Sequence, residues 1–319
     1  MAAPKTNHAG SPLSPELDLF APAPGEIGEV LSAASTLKKD DPGPPTHGRR
    51  LRNLIIWAVV GYAGIRGLGF LAPHFVYPLY KAVYALLPFP YAGMVAVQGL
   101  PTVGLGAAGW FLTAARHQCS YVGKNGVALF NFKDHRETMT RAGFFLFADA
   151  TELRAGQTRN FRNGVYTGTN YTFRWTDAQG KQVFALNGMY HAKEGNPPDA
   201  HAFHLARAAE LAWSMHLFDR AMRELEKAGA IRFSVSGRDW IGVGPGFVEL
   251  CFGGKPPARC EKSDLSQVSI RNGYFTLKRR DAKVGWFSSE GVFQFPYANM
   301  ANARVFLVAL DRLGGIQVS

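Results

Sequence analysis

Acidic residues are missing from one stretch of this 319-residue chain: between Leu51 and His117 there is no Asp or Glu, and the fixed charges are Arg52, Arg66, Lys81 and Arg116. Cysteine is scarce, with only Cys119, Cys251 and Cys260, an odd and unpatterned set that excludes a disulfide framework and a four-cysteine zinc module. Also absent are a G-x-S-x-G elbow, a Cys-His pair and paired carboxylates at a strand end, so nucleophilic and acid–base catalysis have no visible constellation. What is present is 47% hydrophobic residues, 35 basic against 24 acidic residues and a net charge of +11, which favours anionic partners.

Composition divides the chain into four parts. Residues 1–48, rich in Ala, Pro, Gly and Ser, read as a disordered tail. Residues 49–117 read as a transmembrane hairpin. Leu54–Leu71 and Tyr91–Ala115 are apolar runs of roughly 18 and 25 residues, either able to cross a bilayer as a helix. The Tyr-rich segment 73–90 between them reads as an interfacial helix. Basic residues flank both runs on their outer sides, so both termini are expected in the cytoplasm, with the protein integral to the inner membrane. Residues 118–229 and 230–319 read as two β-rich domains with Asn-Gly turns, each closed by an amphipathic helix, the first capped by Asp199 and the second by Asn299.

The two β-rich parts can be overlaid by pattern. Tyr121-Val-Gly-Lys-Asn-Gly126 answers to Trp240-Ile-Gly-Val-Gly-Pro-Gly246, and Asn170–Trp175 to Gly273–Lys278. About seven strands followed by a helix resembles the pleckstrin-homology-like roll, and the join to an apolar hairpin resembles bacterial membrane-anchored proteins with tandem PH-like domains. That resemblance implies a membrane-anchored α+β chain of two rolls that binds or scaffolds, with no catalytic residues and no cofactor.

Candidate residues follow from the same reading. Lys278, Arg279, Arg280 and Lys283 form a basic hairpin tip suited to an anionic lipid surface or a protein partner. Arg66, inside an apolar span, calls for an intramembrane contact. Ala63 and Gly67, with Gly104, Gly106 and Gly109, offer small-residue faces for helix packing; the G-x-G-x-x-G spelling of the last three lacks the strand a dinucleotide site needs. His201 and His204, with His191, Glu194 and His216 near in sequence, lack the second ligand pair of a metal site. The expected function is therefore a non-enzymatic, membrane-anchored binding or scaffold protein acting on membrane lipid or a protein partner, not nucleic acid. An accessory subunit of a larger membrane complex, joined as a homo- or hetero-oligomer through the hairpin, is the alternative. A membrane-bound enzyme acting on a lipid-linked substrate is the remaining one.

Overall fold

The computed structural model describes residues 4–41, 47–71, 74, 77–78, 81–82, 98–112, 116–134, 136–192, 195–285 and 288–319. The chain forms two compact units: residues 37–118 with 131–140, and the remainder. The larger unit holds almost all of the β structure, in four antiparallel sheets.

The larger unit repeats one order of elements. In its first half, β1 (Val30–Ser35), β2 (Arg116–Gly123), β3 (Gly126–Lys133) and β4 (Thr140–Leu146) make a four-stranded sheet in sequential order. A three-stranded sheet follows, of β5 (Glu152–Arg162), β6 (Val165–Thr176) and β7 (Gln182–Tyr190). In the second half, β8 (Ile231–Ser236), β9 (Asp239–Gly244), β10 (Phe247–Cys251) and β11 (Ala258–Glu261) are followed by β12 (Leu265–Arg271), β13 (Tyr274–Gly285) and β14 (Ser288–Pro296). Helices then complete each half: α3 (Ala202–His216) and α4 (Phe218–Ala228) in the first, α5 (Ala303–Arg312) in the second. Equivalent hairpins turn on Asn163-Gly164 and Asn272-Gly273, where all four residues have positive φ, a conformation Asn and Gly tolerate best.

Each half has its own apolar core. Phe147, Phe173, Trp175 and Trp213 are fully buried in the first, and Ile241, Phe275, Leu277 and Phe306 in the second. The helices cover these cores because their apolar residues recur on one face: Phe203, Ala206, Ala209 and Trp213 in α3, and Phe306, Ala309 and Leu310 in α5.

Several expectations are corrected. Within residues 1–48, segment 30–35 is a strand, not disordered: it pairs with β2, and Ala21, Ile27 and Ala33 are buried against Cys119 and Tyr121. Their burial offsets the ordering entropy that a Pro-rich composition alone would not. Among the described residues, no helix is long and apolar enough to cross a membrane. In the smaller unit α1 (His47–Leu71) opens on His-Gly-Arg-Arg-Leu-Arg-Asn and carries Arg66. Its partner α2 (Leu100–Leu112) is what the described residues show of the second apolar run, Tyr91–Ala115, and neither run is a spanning helix among them. This overturns the transmembrane hairpin, the integral-membrane placement and the orientation built on them. The interfacial helix expected at 73–90 lies largely outside the described residues. The helix expected to run unbroken to Gly229 is interrupted at Leu217, and its N-cap is His201, whose ring accepts from Phe203 N–H, in place of Asp199. The last helix is entered at Asn302, not Asn299.

Candidate ligand groove

The two halves of the larger unit meet along the free edge of β5. Leu153, next to the start of that strand, points its N–H and C=O away from β6. Its N–H donates to Asn302 Oδ1 at 2.9 Å, and its C=O accepts from Asn302 N–H at 2.7 Å. Asn302 Oδ1 also accepts from the buried Trp213 indole at 2.9 Å, and Asn302 Nδ2 donates to Thr151 C=O at 3.3 Å. Arg154 spans the same seam, donating to Asn299 C=O at 3.1 Å and Ser234 Oγ at 3.1 Å. Gly156 lets the second half come close, since a Cβ there would stand 3.0 Å from Ala298 Cβ.

Beyond Gly156 the halves part and leave a groove of about 1310 Å³. One wall is β5, with Gln157, Thr158, Arg159 and Phe161; the other is formed by Asn272-Gly273 and Pro296–Ala298. Charge enters it from both halves: Arg159, Arg207 and Glu210 from the first and Arg304 from the second.

Glu210 is the unusual member. It lies on the face of α3 that carries Phe203, Ala206 and Trp213, and it is only 8% exposed. Its Oε2 lies 3.7 Å from an Arg207 nitrogen, too far for a hydrogen bond, and accepts none from any described residue. Burial pushes its carboxyl above the usual range, against the opposing pull of Arg207 and Arg304. Tyr297, in the turn before α5, has its phenol pushed up to about 12, first by burial and then by the Glu210 charge. A buried carboxyl, a half-buried phenol and two guanidiniums thus influence one another in an open cleft, an arrangement that makes it a candidate binding site. Counting Arg159, three cations face one carboxyl, so the groove attracts anions.

The residues singled out in the sequence are elsewhere. Lys278 and Lys283 are not at a hairpin tip: β13 runs on to Gly285, and a bulge separates the pairs Lys278↔Val292 and Lys283↔Glu290. Within that bulge Arg279 is half-buried and bonds Asp281 at 2.6 Å, while Arg280 is exposed. In the smaller unit Arg66 finds its partner one turn back in its own helix, donating to Tyr62 Oη at 3.2 Å and stacking on that ring. Gly106 and Gly109 do pack between helices: a Cβ at Gly106 would stand 3.3 Å from Ala58 Cβ, and one at Gly109 would collide with Trp57. Gly67 and Gly104 face open space and Ala63 is exposed, so the small-residue face of α1 is Ala58 and Gly61 instead.

The histidines serve structure. His201 caps α3, His204 Nε2 bonds Pro197 C=O at 2.9 Å, and His216 packs on Phe147 and Trp213. Among the described residues no cluster could hold a metal ion; Glu194 lies outside them. Cys251 is half-buried, whereas Cys119 and Cys260 are buried. Sequence reasoning missed Arg207, Glu210, Tyr297 and Arg304. The available signal was a carboxylate at the apolar phase of α3, in step with Phe203, Ala206 and Trp213. No protein-family model matches this chain, and no curated protein matches it.

Proposed function

We propose that this chain is a non-enzymatic binding protein whose groove takes an acidic, extended segment of a protein partner. One observation carries the reading: Arg159, Arg207 and Arg304, from both halves, line a cleft of about 1310 Å³ with the buried Glu210, whose Oε2 accepts no hydrogen bond from any described residue. Arginine is suited to carboxylates because its planar fork forms paired, charge-assisted hydrogen bonds. Glu210 holds the two guanidiniums near it and offers an acceptor to a backbone or side-chain donor of the occupant. Phe161, 61% exposed beside Arg159, supplies an apolar contact at the rim.

Panning a random dodecapeptide phage library on the full chain tests this. Enrichment of Asp and Glu, with recovery lowered at least about tenfold by Arg207→Ala/Arg304→Ala, is expected. Charge-indifferent recovery, or equal recovery on the double variant, contradicts the reading. Stronger retention on anionic vesicles than on peptides turns it toward a lipid headgroup.

A second reading, a subunit of a larger assembly, draws on the helical pair. Ile55, Val59, Val60, Phe111 and Leu112 are each at least half exposed, an apolar face of the kind that mediates association. A discrete high-mass species on native sizing favours it; a monomer removes it.

A further inference from the structure

The geometry points to the binding mode of the groove: the occupant adds a strand to the open edge of β5, taking backbone hydrogen bonds from Gln157 and Arg159. This rests on the acidic-segment reading and specifies how the segment is held.

Three observations carry it. First, β5 is the outer strand of its sheet, in the order β5-β6-β7, so among the described residues its far side has no neighbouring strand. Second, the edge is already used for pairing at its covered end. Leu153 exchanges two hydrogen bonds with Asn302, one with the backbone N–H and one with the side-chain carbonyl that stands in for a peptide C=O. In an antiparallel strand, alternate residues point both backbone groups to the same side. Register is continuous from Leu153↔Trp175 to Arg159↔Thr169, with the irregularity falling only after Asn160. Ala155, Gln157 and Arg159 therefore present N–H and C=O outward as Leu153 does. Third, the second half departs where the groove opens. Ala298 stands over Gly156, whereas Gln157, Thr158 and Arg159 are exposed and line the cleft.

Two consecutive outward rungs, Gln157 and Arg159, lie about 7 Å apart, the repeat of an extended peptide. A strand docked there runs between β5 and the Pro296–Ala298 wall. Its alternate side chains then turn toward the floor, where Arg207, Glu210 and Arg304 sit, so acidic residues are expected at every second position. Backbone pairing supplies affinity and the arginines supply selectivity. The edge is otherwise guarded as exposed edges usually are, by the charges of Arg159 and Arg162.

The test uses the full chain and one acidic dodecapeptide recovered from the phage library, made in three forms: the parent, a copy N-methylated at its odd backbone nitrogens, and a copy N-methylated at its even ones. Strand addition predicts that one methylated copy binds at least about tenfold more weakly by fluorescence anisotropy while the other stays close to the parent, because only alternate amides face β5. It also predicts slowed hydrogen exchange at the Gln157 and Arg159 amides when the parent binds. Binding of both copies like the parent, or unchanged exchange at those amides, overturns strand addition and leaves the acidic-segment reading standing. Failure of the parent to need Arg207 and Arg304 overturns the acidic-segment reading itself.

Discussion

The two halves of the larger unit share their element order but not how that order is encoded. In the second half β8 to β14 run consecutively through residues 231–296. In the first, β1 ends at Ser35 and its partner β2 begins at Arg116, with α1 and α2 between them in sequence. The four-stranded sheet of the first half therefore depends on a long-range pairing whose loop closure must be offset by burial of Ile27, Ala33 and Tyr121. A strand can be contributed from far away when its side chains fill a core that local sequence leaves open.

The halves also use different hairpins as their extensions. In the first, β5 and β6 run past β7, which reaches only to Thr169, so residues 160–168 project with Phe161 and Val165 exposed. In the second it is β13 and β14 that run past β12, whose pairing stops at Arg279. Arg280–Lys283 of the bulged segment belong to that projection, and the edge left open at the groove belongs to the first half.

The largest expected effect comes from joining the halves badly. Asn302→Ala leaves Trp213 Nε1 and Leu153 N–H without their acceptor and places Ala at a φ of 53°, a loss of about 4 kcal/mol in chemical denaturation. An equal loss of both cores shows that neither half stands alone; loss confined to the first shows that the second folds by itself.

Next come two glycines that pass beneath the chain entering each half. A Cβ at Gly123 would stand 2.2 Å from Ile27 C=O, ahead of β1, and one at Gly244 would stand 2.7 Å from Gly229 C=O, ahead of β8. Gly123→Ala is expected to cost about 3 kcal/mol and Gly244→Ala about 2 kcal/mol, on the scale of overpacked sites. If Gly244→Ala is the more damaging, the long-range entry strand is not the more constrained of the two.

A pH effect belongs to the first half alone. Buried His8 bridges Ser32 Oγ at 2.8 Å and Ser120 Oγ at 2.9 Å, joining the entry segment to β2. Burial, and then the nearby His204, lower its pKa to about 4 from an ordinary 6.5. The unfolded chain therefore binds this proton more readily than the folded one. Stability from His8 is complete above about pH 6.5 and is lost as pH falls toward 4, about 2 kcal/mol between pH 7 and pH 5. His8→Gln removes that part of the acid dependence; an unchanged profile by thermal melting contradicts it.

The smallest effect is expected at Lys278→Ala/Arg280→Ala, which changes side chains of β13 at its bulge and should shift stability by less than about 0.5 kcal/mol and leave peptide recovery unchanged.

The legible parts of the sequence were local. Asn272-Gly273 between β-rich runs announces the β12–β13 hairpin, and the apolar spacing of 303–313 announces α5. β5 was not legible because Arg154-Ala-Gly-Gln-Thr-Arg159 alternates no apolar face: one edge of the strand is held by the second half and the other end lines a polar groove. β1 was hidden by the prolines around it. The groove could not be read at all as a unit, since Arg159, Arg207 and Arg304 are each ordinary surface arginines in sequence and become a site only where β5, α3 and α5 converge. The apolar run 54–71 reads as a span, yet it lies in α1, which opens on Arg49, Arg50, Arg52 and Asn53 and carries Arg66, and the described helices include none able to cross a membrane.

The most direct test of the groove is a titration of the full chain with the recovered acidic dodecapeptide, comparing wild type with Arg207→Glu/Arg304→Glu at low and at near-physiological salt. The groove reading predicts binding that weakens with salt and falls at least about a hundredfold in the double variant, both of whose positions are exposed and whose fold is checked by circular dichroism. Equal affinity in a folded double variant would contradict it.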